Sequence, residues 1–313
     1  MGARIYHNHI NISDKPLTHD REDCIYYKDI DEKFIDKITE NPIVHYIQVN
    51  GMDGSFPEEV YPIIDKILEN REDIAFRIYS VMGDRPFDIR PLLDMKHLHH
   101  LVIDCHLREN KNLIDFDVLT KLHLKSLRLN AFDLRDYSFI QNLSNELESL
   151  TIFADTMGGS VNFDCEWLIK YKNLHTLWLG KKAKKNLESI ARIETLKSLS
   201  LRGIKLNNFD FLKKMNLEKF ELLWNSNNEL SELKDLKSLK EIGMWRISKL
   251  ENIDFLSELE NLEVIKMQDL MHITALPDLS RLQHLKRLVL DGTGIKIDSI
   301  EEPYKSMVER YWR

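Results

Sequence analysis

The chain has 313 residues, 43% of them hydrophobic, and a formal net charge of −7. That is enough apolar content for a long continuous core, and the acidity argues against nucleic acid as the default partner. The opening residues, MGARIYHNHINISDKP, carry no apolar h-region, and no stretch approaches the ~18 apolar residues of a membrane span. Tyr6 stands where an N-myristoylation signal wants Ser or Thr. The three cysteines, Cys24, Cys105 and Cys165, lie far apart and suggest no disulfide framework, so a reducing, cytoplasmic setting is expected.

Residues 1–28 alternate apolar and polar side chains around Ile10 and Ile12, and read as an N-terminal hairpin cap over an open sheet edge. Phe34 to Ile38 forms a helical stripe, and Val44–Val49 a strand after it. Pro57 to Asn70 predicts a longer helix with Pro57 in its first turn, followed by a strand at Ile74–Tyr79. From His97 to Leu290 one pattern then recurs nine times: Leu-x-x-apolar-x-apolar. Its apolar positions are Leu98/Leu101/Ile103, Leu124/Leu127/Leu129, Leu147/Leu150/Ile152, Leu174/Leu177/Leu179 and Leu196/Leu199/Leu201. They continue as Leu217/Phe220/Leu222, Leu239/Ile242/Met244, Leu262/Ile265/Met267 and Leu285/Leu288/Leu290. The last members are spaced by 26, 23, 27, 22, 21, 22, 23 and 23 residues, which sets a period near 22–23. Within each unit, alternation points two apolar residues inward and their neighbours outward, as a strand requires. Segments such as Phe255–Leu262 return the chain as short helices or 3-10 turns. Ile300 to Trp312 predicts a closing helix, with Tyr304, Met307, Val308 and Tyr311 on one face.

This repeat resembles the leucine-rich-repeat family, in the intracellular type with units of 22–23 residues. The resemblance implies an α/β solenoid, a curved horseshoe with a concave parallel sheet and a helical or 3-10 convex side. It would comprise an N-terminal cap at 1–28, about eleven units over 29–293, and a C-terminal cap at 294–313. One feature departs from the family. Where many members place Asn three residues after the last strand leucine, only Asn225 matches; apolar residues fill about half of the other positions.

No GxxxxGK[ST], GxSxG, HExxH or paired CxxC occurs, and Gly292-Thr293-Gly294 reads as a turn. Neither enzyme activity nor a cofactor is expected. His97, His99, His100, Cys105 and His106 bracket one strand and do not converge as zinc ligands must, so no metal site is expected. The concave face is the informative surface. Its outward positions hold Phe153, Trp178, Leu223 and Trp245 as apolar anchors, with Arg128, Arg202, Glu221 and Lys266 to orient a partner. Trp224 would replace Leu223 there if the register shifts by one. Nine to eleven strands about 4.8 Å apart and about 13 Å of width give roughly 600 Å², near one side of a protein interface and too open to enclose a small molecule.

The expected function is non-catalytic protein binding by a monomer with no membrane contact. A toxin-neutralising immunity protein, an inhibitor of a basic effector, is one form of it. An adaptor or phosphatase-regulatory scaffold is another. Nucleic-acid binding through the ridge Lys181–Lys185 is the alternative from a different class.

Overall fold

A computed structural model describes residues 8–19, 23–50, 56–81, 87–107 and 114–309. They form two compact units, residues 1–163 and 164–313.

The first unit holds seven strands: β1 (His9–Ser13), β2 (Cys24–Tyr26), β3 (Tyr46–Asn50), β4 (Ala75–Val81), β5 (His100–His106), β6 (Ser126–Phe132) and β7 (Ser149–Ile152). They pair in the order β2-β1-β3-β4-β5-β6-β7, parallel throughout. Helix α1 (Glu32–Thr39) follows the Asp31 cap, whose carboxylate accepts from the Phe34 amide at 2.9 Å, and buries Ile35 and Ile38. Helix α2 (Val60–Asn70) buries Val60, Ile64, Ile67 and Leu68. The expected first-turn proline is Pro62, not Pro57, which precedes the helix. An N–H is dispensable only within that turn.

The expected N-terminal hairpin is not formed, because β1 and β2 pair in parallel. The reason is register. Parallel addition sets Ile12 between Ile25 and Val49 and continues the apolar ladder of β3. Both Ile10 and Ile12 are buried.

The second unit holds β8 (Thr176–Gly180), β9 (Ser198–Arg202), β10 (Lys219–Leu223), β11 (Glu241–Trp245), β12 (Val264–Gln268), β13 (Arg287–Asp291) and β14 (Val308–Glu309), again paired in parallel and in sequence. The register aligns Leu201, Leu222, Met244, Met267 and Leu290 in one row. Their spacings of 21 to 23 residues leave room only for 3-10 turns such as Leu187–Arg192 and Asp254–Glu258 on the return. In the first unit Val49 pairs with Ile78, 29 residues on, and that longer coil accommodates α2. A 3-10 turn rises about 2.0 Å per residue against about 1.5 Å in an α-helix, so short repeats close with it.

All three apolar positions of all nine repeats are buried, none more than 7% exposed. Each such side chain stabilises the fold by about 1.5–3 kcal/mol relative to exposure. The closing segment is not a helix. A 3-10 turn at Tyr304–Met307 leads into β14, which covers the free edge of β13 and pairs its backbone groups, while Tyr311 lies outside the described residues. Among the described residues no helix is long and apolar enough to cross a membrane.

Asn225 lies in the coil after β10, with Asn227 beside it. Its amide donates to the Ile204 carbonyl at 2.5 Å, and its carbonyl oxygen accepts from the Asn227 backbone at 2.7 Å. Asn227 donates to the Leu206 carbonyl at 2.9 Å and accepts from the Leu206 amide at 3.2 Å. Both side chains are buried, and together they lace this coil to the preceding one.

Candidate functional site

In the second unit, each strand from β8 to β13 ends in a sharp turn through a left-handed residue. That column reads Lys181, Gly203, Trp224, Arg246, Asp269 and Gly292, with φ between +37° and +66°. Glycine suits this conformation, and a bulky side chain there is strained. The turn ends the strand alternation and swings its own side chain outward. Leu223, expected on the face, is buried at 6% exposure between its larger register partners Arg202 and Trp245, and Trp224 is exposed at 39%. Sequence reasoning placed Leu223 among the anchors and held Trp224 as its substitute. The signal that separates them is the glycine at the same column in two other repeats.

Trp224 centres an aromatic and cationic cluster. The Trp245 ring meets it edge-on, with centroids 5.7 Å apart. The Arg202 and Arg246 guanidinium groups lie over the Trp224 ring at 4.7 and 4.6 Å. The Trp245 indole N–H donates to Asp269 at 3.0 Å, and Arg246 Nη2 donates to the same carboxylate oxygen at 2.9 Å. Arg246 was not singled out in the sequence. Trp178, on β8, is half-buried and pairs in register with Ser200.

Glu221 and Lys266 stand differently from their expected role as orienting groups. They are buried in a charge lattice across β9 to β12. Ser200 donates to Glu221 at 2.7 Å, Lys219 bridges Glu221 and Glu241 at 3.1 and 2.9 Å, and Lys266 reaches Glu241 at 2.9 Å. Burial raises the Glu241 carboxyl, but Lys266 and Lys219 outweigh it and hold the pKa below its ordinary value. Burial lowers the Lys219 ammonium, and Glu221 and Glu241 reverse that too. The lattice compensates its own charges, so the outward surface of this unit is set by the turn column.

The first unit brings Arg128 over the ring of Phe153 at 5.3 Å, with Arg128 exposed and Phe153 half-buried just past the end of β7. Its sheet also carries a polar chain. Arg77 donates to Asp104 at 2.6 Å and to Gln48 at 3.1 Å, and Gln48 donates to Asn11 at 2.8 Å.

The histidines around β5 are each engaged separately. His97 faces Asp65 at 3.2 Å, His100 faces the Ser126 hydroxyl at 2.8 Å, and His106 stacks on Phe132 at 4.5 Å. Burial lowers the His100 pKa, with the charges of His99 and Lys125 adding to it. Among the described residues no group of three or more His, Cys, Asp or Glu could hold a metal ion. In the ridge, Lys181, Lys182, Lys184 and Lys185 are exposed around a buried Ala183, and Lys185 pairs with Asp164 at 3.0 Å.

The two units differ in charge. Residues 1–163 carry 18 Lys and Arg against 28 Asp and Glu, a net −10, whereas residues 164–313 carry 26 against 23, a net +3. The acidity of the chain is thus confined to the unit that lacks the tryptophan cluster.

No family model matches the chain, and no curated protein matches it. Among solved structures it is similar to an internalin of Listeria monocytogenes, InlF, at 18% identity over 84% of this chain and 76% of that one, with a TM-score of 0.47. It is also similar to an internalin C2 of that organism, at 22% identity over 59% and 78% and a TM-score of 0.43. A leucine-rich-repeat protein of Leptospira interrogans matches at 15% identity over 83% and 75%, with a TM-score of 0.43. The likeness is one of fold, and the assignment rests on the chain's own repeats. Nine Leu-x-x-apolar-x-apolar units, each delivering one parallel strand with its three apolar positions buried, give the chain a leucine-rich-repeat fold.

Proposed function

We propose that the chain is a non-catalytic protein-binding module, and that its partner docks on the strand ends of the second unit. Trp224 is the anchor, with Arg202, Trp245 and Arg246 around it and Trp178 as a further contact. The observation that carries this reading is the exposed Trp224 indole, held in a left-handed turn where two other coils of the unit use glycine. Backbone economy favours glycine there, so the side chain is retained for what it touches. Exposed tryptophan and arginine side by side are the chemistry of interface hot spots. The Arg128–Phe153 pair is a separate contact surface in the first unit. The caps at 1–28 and 294–313 belong to the same reading.

A second reading is favoured by the net −10 of residues 1–163: a cytoplasmic inhibitor whose acidic unit meets a basic effector. The two readings differ in which unit the partner needs.

The test is capture from native lysate with tagged wild-type chain beside a Trp224→Gly variant, both checked for folding by circular dichroism. A protein retained by the wild type and lost with Trp224→Gly is the expected result. A basic protein retained equally by both moves the site to the acidic unit. Nucleic acid captured without protein overturns the reading in favour of the Lys181–Lys185 ridge.

A further inference from the structure

We infer that the residues entering the strands of the second unit form a neighbour code, one residue per coil. Their alternating charge favours the stacking of consecutive coils and penalises a stack from which one coil is looped out. The role is independent of any partner.

The column is Lys197, Glu218, Lys240, Glu263 and Lys286, each the residue after the first leucine of its repeat, and its signs alternate throughout. Backbone bonds run along it. The amides of Glu218, Lys240, Glu263 and Lys286 each donate to the carbonyl of the preceding member, at 2.8, 2.8, 2.7 and 2.8 Å. That ladder sets each side chain against the one from the next coil. Lys197 lies 3.6 Å from Glu218, Lys240 donates to Glu218 at 2.7 Å, and Lys286 donates to Glu263 at 2.8 Å. The Lys240 ammonium holds the Glu218 carboxyl below its ordinary value, and Lys286 does the same for Glu263.

The leucines cannot supply this code. The rows that run from Leu199 to Leu288 and from Leu201 to Leu290 are apolar in every coil. A stack with one coil looped out would still set apolar on apolar, and misassembly between near-identical units is a characteristic failure of repeat chains. Asn225 and Asn227 tie one pair of coils together, those after β9 and β10. The buried lattice even favours an omission, because Glu221 and Lys266 stand two strands apart with opposite charge, both in register with Gly243. The entry column opposes each one. Without the coil of Glu218, Lys197 meets Lys240. Without that of Lys240, Glu218 meets Glu263, and without that of Glu263, Lys240 meets Lys286. Like charges directly opposite on neighbouring strands are destabilising, and opposite charges are stabilising.

The test refolds the full chain from urea and follows it by pulsed hydrogen exchange with mass spectrometry. Wild type is compared with a neutral ladder, in which all five residues become Gln, and with a sign-reversed ladder, Lys197→Glu/Glu218→Lys/Lys240→Glu/Glu263→Lys/Lys286→Glu. A looped-out coil appears as one repeat with exchanging amides between two protected ones. The neutral ladder should raise the population of such species by about twofold to fivefold, which is about 0.4–1 kcal/mol at about 1.4 kcal/mol per tenfold. The sign-reversed ladder keeps the alternation and should refold as the wild type does. A neutral ladder with no more looped-out coils than wild type would overturn the inference. A sign-reversed ladder that refolds to a mixture of looped-out species would do the same, whether or not the neutral ladder folds.

Discussion

Trp224 lies at φ +52°, and Gly203 and Gly292 make the same turn in other coils of its unit. Replacing Trp224 by Gly and by Ala deletes the same indole, so the lost contacts cancel between the two variants. What remains is backbone. A left-handed L-residue costs about 1–2 kcal/mol, and glycine avoids that cost. Glycine in turn loses about 0.5–1 kcal/mol more conformational freedom on folding than alanine does. The balance puts Trp224→Gly ahead of Trp224→Ala by about 0.5–1 kcal/mol. Trp178 is the internal control, since it sits within β8 in extended backbone. There the same pair should reverse, with alanine ahead by about 0.5–1 kcal/mol. Against wild type, both variants at 224 lose the edge-on contact with Trp245, about 0.5–1.5 kcal/mol, and two exposed guanidinium contacts at about 0.5–1 kcal/mol each. Urea midpoints with the slope checked for constancy give all four differences. An alanine variant at 224 as stable as the glycine variant, or more so, would refute the argument that the turn strains this residue.

Two further outcomes follow from the buried polar groups. Asn225→Ala leaves the Ile204 carbonyl and the Asn227 amide without their partner and should cost about 1–3 kcal/mol, with faster hydrogen exchange at the Asn227 amide; unchanged exchange would mean that the Asn225 side chain does not hold the Asn227 amide. The Glu241 carboxyl is held below its ordinary value of 4.5, so its ionised form contributes stability above that pH, and the contribution is lost as pH falls through the folded-state value. Glu241→Gln should therefore be less stable than wild type at neutral pH, and the gap should close on acidification. A gap that stays constant with pH would show that the carboxylate's charge is not what Lys219 and Lys266 hold.

Much of the fold was legible because its determinant is periodic. Leucines at fixed offsets identify the strands β5 to β13, and the parallel register then follows from stacking identical units. The helices α1 and α2 were readable for a related reason, since their longer coils carry apolar residues at helical spacing. The two ends were less readable. Alternation around Ile10 and Ile12 shows a strand but not its direction, and parallel pairing was decided by which arrangement continues the Ile47 and Val49 row. At the other end, Tyr304 to Val308 has a helical stripe, yet the free backbone groups of β13 outweigh that local preference and draw Val308 and Glu309 into the sheet.

Of the side chains read as outward, Glu221, Lys266 and Leu223 are buried, and for Leu223 the reason is local. Alternation from Leu222 puts Leu223 outward in one row with Arg202 and Trp245, but the small side chain is buried between those larger neighbours, and the left-handed residue that follows it, Trp224, is the exposed one. The sequence carries the marker of that turn: glycine falls two residues after the last strand leucine in Gly203 and Gly292. Aligning the repeats on that column puts Lys181, Trp224, Arg246 and Asp269 in a glycine position. Each is a residue that the backbone alone would not select, and three of the four belong to one cluster joined through Asp269 and the two indoles. Strain tolerated at one position is unremarkable in a protein of this size. Tolerated in consecutive coils, by side chains that contact one another, it is the ground on which this surface is proposed as the docking site.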